Sequence, residues 1–126
     1  MPNFIFIFIF ISISFTAKAD NIKIEQIGPT LKNPWGMDFI NDRELLITEK
    51  RGRIFHINIS DGSSFEIHNV PKVASTMQGG LLDIIHNDGT VFYCYSKDTS
   101  EGTVLAIDRA VIVAVSYTHL TLPTKA

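Results

Sequence analysis

The stretch of this sequence best suited to chemistry is Met77 to Asp83, where a glutamine and two glycines run into an apolar segment. The Gln78 side chain offers both a hydrogen-bond donor and an acceptor, which suits it to bind hydroxyl groups of a ligand. Glycine adopts backbone angles that other residues resist, so Gly79 and Gly80 allow a tight entry into a strand with Gln78 at its rim. The same residues also fit an ordinary structural turn, in which Gln78 satisfies backbone groups of the loop.

The other polar candidates fit structural roles better than chemical ones. His56 and His68 lie in or beside expected strands and His86 ends one, which is typical of structural histidines. Cys94 is expected to be a packed or half-packed strand thiol, and Trp35 to pack at the start of its strand. The aspartates are too dispersed for a calcium loop and lack its spacing: Asp38, Asp61, Asp83 and Asp88.

The charge balance argues against a polyanionic partner. The 126 residues contain 13 Asp and Glu against 11 Lys and Arg, a formal net charge of −2. The largest basic cluster is Lys50 to Arg53. Since nucleic-acid binding requires a basic patch or stripe, we expect no nucleic-acid partner.

Residues 1–19 have the composition of a secretory signal peptide. An apolar run from Phe4 to Phe15 is followed by Ala17 and Ala19, the small residues expected before a cleavage site. We predict cleavage between Ala19 and Asp20, export, and no stable membrane anchor, because the run is short for a bilayer span. No Lys or Arg precedes the run, so an uncleaved anchor or a lipid-facing strand is the alternative.

Alternating apolar residues predict strands joined by tight turns, with no helix. The expected strands are 21–27, 35–40, 44–49, 53–59, 64–70, 81–86, 91–96 and 103–108. Those between residues 34 and 70 have the pattern of one four-stranded propeller blade, about 40 to 50 residues long, and the pattern then starts again. A β-sandwich or small barrel would use the same local signals. Because a propeller needs at least about four blades to close, the blade interpretation makes this chain a fragment.

Four segments also follow one another in a familiar order: Pro34 to Phe39, Glu44 to Ile54, Gln78 to Ile84, and Val91 to Ser96. Together they resemble the N-terminal part of the soluble quinoprotein sugar dehydrogenases, also called the glucose/sorbosone dehydrogenase family. The resemblance covers residues 31 to about 109. It implies that residues 20–112 are an all-β N-terminal fragment, about two blades, of a six-bladed β-propeller in a protein exported to the bacterial periplasm.

The resemblance also implies a function. Family members oxidise the C1 hydroxyl of aldose sugars to lactones with pyrroloquinoline quinone (PQQ) and calcium, and pass the electrons to an external acceptor. The family's catalytic histidine, calcium ligands and nearly all PQQ contacts lie beyond this sequence, so we expect no catalytic, cofactor-binding or metal-binding residue here and an inactive fragment. Only Gln78 carries over, as a substrate-binding residue. A non-catalytic secreted propeller that binds carbohydrate or protein, and a propeller lactonase, are the alternatives.

Residues 113–126 do not continue the family pattern. They resemble a peptide produced when sequencing-adapter DNA is read through as coding sequence. We therefore predict a non-native tail, with a genuine but divergent strand as the alternative. Sequencing of the genomic locus distinguishes the two.

Overall fold

The computed structural model describes residues 20–113 and 119–121 as two four-stranded antiparallel sheets. The first sheet contains, in order, β1 (Pro34–Asn41), β2 (Glu44–Glu49), β3 (Arg53–Asn58) and β4 (Ser64–Ile67). The second contains β5 (Leu81–Asn87), β6 (Thr90–Thr99), β7 (Gly102–Val113) and β8 (His119–Thr121). Each sheet is a meander of four sequential strands, which is the pattern of a propeller blade. The all-β prediction is confirmed.

Two predicted segments fall largely outside the described residues. The predicted signal peptide, 1–19, lies entirely outside them. Of the predicted tail, β8 is described, and it pairs with the end of β7 through Val113 and His119. The non-native origin of the tail stays a prediction. Within the described residues, no helix has the length and apolar character needed to cross a membrane.

The expected strand over residues 21–27 is wrong. Residues 20–33 form no strand, and the side chains that set the alternation, Ile22 and Ile24, are 89% and 92% exposed. A strand is stabilised by pairing with a neighbour and by burying one face. Alternation of apolar residues supplies neither, so the pattern alone was insufficient there.

The β6–β7 hairpin is longer than the sequence predicted. The predicted strands 91–96 and 103–108 leave residues 97–102 as a polar connection, but β6 continues to Thr99 and β7 begins at Gly102. Asp98 pairs across the hairpin with Thr103, whose hydroxyl donates to the Asp98 carboxylate at 2.8 Å. Polar side chains on an exposed hairpin therefore look like loop residues when the sequence is read alone.

The main core lies between the two sheets. Its buried side chains come from both: Leu46, Ile54 and Ile67 of the first sheet, and Leu81, Ile84, Val91, Tyr93, Tyr95 and Ala110 of the second. The opposite face of the second sheet is apolar and exposed in the described structure, with Ile85, Leu105 and Ile107 at 53%, 66% and 71% exposure. Packing of the two sheets thus uses one face of the second and leaves its other face accessible.

The edge strands β1 and β5 lie side by side, although they belong to different sheets. They run in the same direction, because Gly36 lies against Asp83 and the later Asp38 binds His86. At Gly36 the strands are so close that a Cβ there would lie 2.9 Å from a β5 Cα. The Thr48 hydroxyl accepts a hydrogen bond from the Gly36 N–H at 2.9 Å and donates to the Leu82 carbonyl at 2.6 Å. Further along, the Asp38 carboxylate accepts the His86 N–H at 2.7 Å. Side chains therefore connect two edges that form no backbone ladder with each other.

The alternating strand directions bring several loops to one end of both sheets, called here the upper end. It contains the starts of β1 and β5, the β2–β3 turn around Lys50, and the connection between β4 and β5, residues 68–80. Gln78 lies in this connection, three residues before β5 begins.

Thr48→Val tests the link between β1 and β5. Thr48 is fully buried, and valine keeps its shape but leaves the Gly36 N–H and the Leu82 carbonyl without this partner. We expect a loss of about 1 to 3 kcal/mol in the free energy of unfolding, measured by urea denaturation. Thr103→Val, which removes an exposed hydroxyl, is the control and should cost less than about 0.5 kcal/mol. Equal stability of the Thr48 variant and the wild type would contradict the linking role.

The two core tyrosines predict an alkaline loss of stability. Tyr93 is 2% exposed and its hydroxyl has no hydrogen-bond partner among the described residues, whereas the Tyr95 hydroxyl donates to the Asp108 carboxylate at 2.8 Å. Burial, followed by the Asp108 charge, raises the pKa of Tyr93 to about 12. The folded-state pKa of Tyr93 lies above the unfolded value near 10. The contribution of this difference to the free energy of unfolding is therefore fully present below about pH 10 and is lost as the pH rises toward 12.

Tyr93→Phe should therefore reduce the loss of stability between about pH 10 and 12, and should be neutral or stabilising at pH 7 because it removes an unpaired buried hydroxyl. Tyr95→Phe is the comparison variant. It deprives Asp108 of a donor and should cost about 1 kcal/mol at pH 7. Denaturant unfolding of both variants at several pH values measures the difference, and a clear destabilisation by Tyr93→Phe at pH 7 would argue for an unseen partner.

Candidate substrate-binding loop

Gln78 is exposed at the upper end, in a tight turn just before β5. The preceding residue, Met77, has a φ of 51°, in the left-handed region that residues other than glycine seldom adopt. The Gly79 N–H donates to the Thr76 carbonyl at 2.7 Å and closes the turn around Met77 and Gln78. An amide in this position is accessible to a ligand while the backbone beneath it is fixed.

Lys50 of the β2–β3 turn holds this loop from the first sheet. Its carbonyl accepts the Leu81 N–H at 2.8 Å, and its ammonium donates to the Met77 carbonyl. Gly80 lies directly against Lys50, with a φ of +146°, and a Cβ added to Gly80 would overlap the Lys50 carbonyl oxygen and lie 2.7 Å from its Cγ. Only glycine therefore meets both the angle and the available space at position 80.

Ser96 of β6 holds the same loop from the second sheet. Its N–H donates to the Gly80 carbonyl at 2.8 Å, and its hydroxyl accepts the Gly80 N–H at 3.2 Å. Its carbonyl accepts the Ala74 N–H at 2.8 Å, so an earlier part of the connection is tied to the same residue. A Cβ added to Gly79 would lie 2.9 Å from both the Ser96 hydroxyl and the Ala74 carbonyl. The backbone beside Gln78 is thus enclosed on both sides.

Charged side chains stabilise the turn that contains Lys50. Glu49, which is 3% exposed, accepts the Lys32 N–H at 2.6 Å and lies 3.4 Å from the Arg53 guanidinium. Arg53 also makes two bonds to the Glu66 carboxylate, at 2.8 and 3.1 Å. The hydrogen bond from Arg53 lowers the pKa of Glu66, and the same bond raises the pKa of Arg53. Glu49 and Arg53, which flank the turn, are therefore both held by hydrogen bonds.

The other residues singled out in the sequence lie away from this loop or serve the framework. His56 contacts Glu44 at 3.4 Å, and the backbone of His86 binds Asp38. Cys94 is half-buried in β6, as predicted.

The predicted packing of Trp35 is wrong, because 53% of it is exposed. Met37 and Phe39 of the same strand are also exposed.

The described residues do not make up a site for either group that the family resemblance implies. Among them, no three His, Cys, Asp or Glu side chains come together to hold a metal ion, whereas calcium takes six to eight oxygen ligands. The loop around Gln78 offers an amide, backbone groups and the Lys50 ammonium, which is already bound to Met77. These do not amount to a pocket for an anionic quinone.

The sequence predicts Gln78 and the two glycines as candidates but does not indicate the residues that hold them. In the sequence, Lys50 stands out only as part of the basic cluster 50–53, and Ser96 only as the last residue of a predicted strand. A signal did exist for Thr48 and Glu49, because they are polar residues in a strand whose neighbours, Leu45 and Leu46, require burial on both faces. Lys50 offered no such signal, since a lysine in a turn is normally solvated.

Comparison with known proteins identifies the family. The family model for glucose/sorbosone dehydrogenase matches residues 31–121, which is more than half of the chain. The chain belongs to this family. Aldose sugar dehydrogenase YliI of Escherichia coli is 33% identical over 70 residues, a match that covers 55% of this chain and 19% of that protein.

Solved structures agree with the fold. The soluble aldose sugar dehydrogenase of Escherichia coli, in its apo form, is 26% identical with a TM-score of 0.67, over 77% of this chain and 30% of that one. The PQQ-bound aldose sugar dehydrogenase of Streptomyces coelicolor is 22% identical with a TM-score of 0.68, over 79% and 31%. The chain thus spans less than a third of these relatives. The predicted fold, about two blades of a six-bladed β-propeller, is confirmed.

Gly80→Ala tests the enclosure of the loop. Alanine at position 80 has to adopt an unfavourable φ, and its Cβ overlaps the Lys50 carbonyl. We therefore expect a loss of more than about 2 kcal/mol in the free energy of unfolding. Gly102→Ala is the matched control, because Gly102 has a φ of +123° but no atom within 4 Å of an added Cβ. The difference between the two variants isolates the overlap, and equal losses would show that only the backbone angle matters.

Proposed function

We propose that this chain is part of an exported, periplasmic PQQ-dependent dehydrogenase that oxidises the C1 hydroxyl of aldose sugars to lactones, with Gln78 as a substrate-binding residue. PQQ would accept the two electrons of the oxidation and pass them to an external acceptor, with calcium as the metal of the cofactor site. In that enzyme the role of this chain is to bind and orient the sugar. The 126 residues alone are proposed to be inactive.

The observation that carries this proposal is an exposed amide on an enclosed turn, in a chain of the glucose/sorbosone dehydrogenase family. A primary amide can donate to one sugar hydroxyl and accept from another. Loops fixed on a rigid sheet are common sites of binding residues, because the scaffold sets their position. The activities named for the Escherichia coli and Streptomyces coelicolor relatives support an aldose substrate, and the PQQ named for the latter supports the cofactor.

Gln78→Ala in the full-length gene product, loaded with PQQ and calcium, tests the role of the amide. Loss of one or two hydrogen bonds to an uncharged sugar should lower kcat/KM by roughly 2- to 10-fold, measured by dye reduction with glucose and other aldoses. Ser75→Ala, at an exposed position of the same connection, is the control and should leave kcat/KM unchanged.

The outcomes separate the candidate functions. Unchanged kinetics of Gln78→Ala would reject the substrate-binding role while leaving the dehydrogenase intact. Sugar binding without dye reduction by the wild type would favour a non-catalytic propeller, and hydrolysis of lactones would favour a lactonase. Dye reduction by the 126-residue chain alone would contradict its proposed inactivity.

A further inference from the structure

We infer that Lys50 is a positioning residue for Gln78, acting through the carbonyl of Met77. This inference rests on the proposed role of Gln78 in substrate binding. Lys50 belongs to the first sheet and Gln78 to the entry of the second, so the contact joins the two sheets at the point where the substrate would bind.

The geometry gives the Lys50 side chain a task that its backbone does not perform. The Lys50 carbonyl fixes Leu81, which already lies in β5, and its N–H donates to the Asn33 carbonyl at 3.1 Å. Neither contact reaches the turn that contains Gln78. The ammonium alone extends to the Met77 carbonyl, which is the acceptor of the peptide that joins Met77 to Gln78. The side chain thus holds the peptide plane that precedes the amide-bearing residue.

The conformation of Met77 explains why that peptide needs to be held. At a φ of 51°, Met77 is in a region that a residue with a Cβ leaves readily when it is not constrained. The Gly79 to Thr76 bond closes the turn but does not fix the orientation of the Met77 carbonyl. A charge-assisted bond from an ammonium is stronger than a neutral one and selects the orientation in which the carbonyl faces Lys50. Loss of that bond should free the turn and let Gln78 sample other positions.

Amide hydrogen exchange measures this hold without reference to activity. In Lys50→Met, which keeps the apolar stem against Gly80, the Gly79 amide should exchange about tenfold faster, because the turn loses its charge-assisted bond. The Leu81 amide should change little, because it binds the Lys50 carbonyl rather than the ammonium. Lys50→Arg should restore much of the protection, and Lys97→Met, at an exposed position of β6, should have no effect. Unchanged exchange at Gly79 in Lys50→Met would overturn the inference.

A double-mutant cycle in the full-length, PQQ-loaded gene product tests whether the hold matters for the substrate. Lys50→Met should lower kcat/KM by roughly 2- to 10-fold alone, but by less than about 2-fold in the Gln78→Ala background, because it acts through Gln78. Equal effects in both backgrounds, or none in either while Gln78→Ala is impaired, would reject positioning. If Gln78→Ala has wild-type kinetics, the proposed function fails instead, and the exchange experiment still decides whether Lys50 holds the turn.

Discussion

The structure depends on how two edge strands lie side by side without pairing. An edge strand presents backbone N–H and C=O groups that need partners, and at Gly36 the strands β1 and β5 approach so closely that a Cβ would not fit between them. Side chains of the first sheet supply two of these partners: Thr48 binds the Leu82 carbonyl, and Asp38 binds the His86 N–H. The two strands can approach this closely only because residue 36 is glycine. The buried Thr48 hydroxyl can bind both strands only because they are this close.

The Gln78 loop continues the same arrangement at the upper end. There the partner of β5 is the Lys50 carbonyl, which binds the first N–H of the strand, and the Lys50 ammonium binds the turn just before it. Ser96 completes the enclosure from within the second sheet. The position of Gln78 is therefore set by both sheets together. Any change that separates the sheets should also displace the amide, which couples the packing of the core to the geometry of the candidate site.

The predictable parts of this molecule are those that depend on neighbours in the sequence. The turn at Asp88 and Gly89 has φ values of 47° and 75°, as an Asp-Gly pair between the predicted strands 81–86 and 91–96 indicates, and the residues of β2 match the expected strand. The strand predicted at residues 21–27 is wrong because a strand needs a pairing partner, which the alternation of apolar residues does not provide. The link from Asp38 to His86 spans 48 positions, and no local pattern contains it. For the same reason Gln78 could be proposed from its motif, whereas Lys50 and Ser96 could not.

The enclosure also separates two kinds of information in the Gln78-Gly79-Gly80 motif. Both glycines are required by contacts inside the chain: Gly79 by Ala74 and Ser96, and Gly80 by Lys50. Those requirements hold whether or not a sugar binds, so a relative with no catalytic activity would keep the glycines as long as it kept the two sheets. Gln78 has no comparable packing constraint, because it is exposed. The glycines are therefore required by the fold, and residue 78 is the part of the motif on which the proposed substrate binding depends.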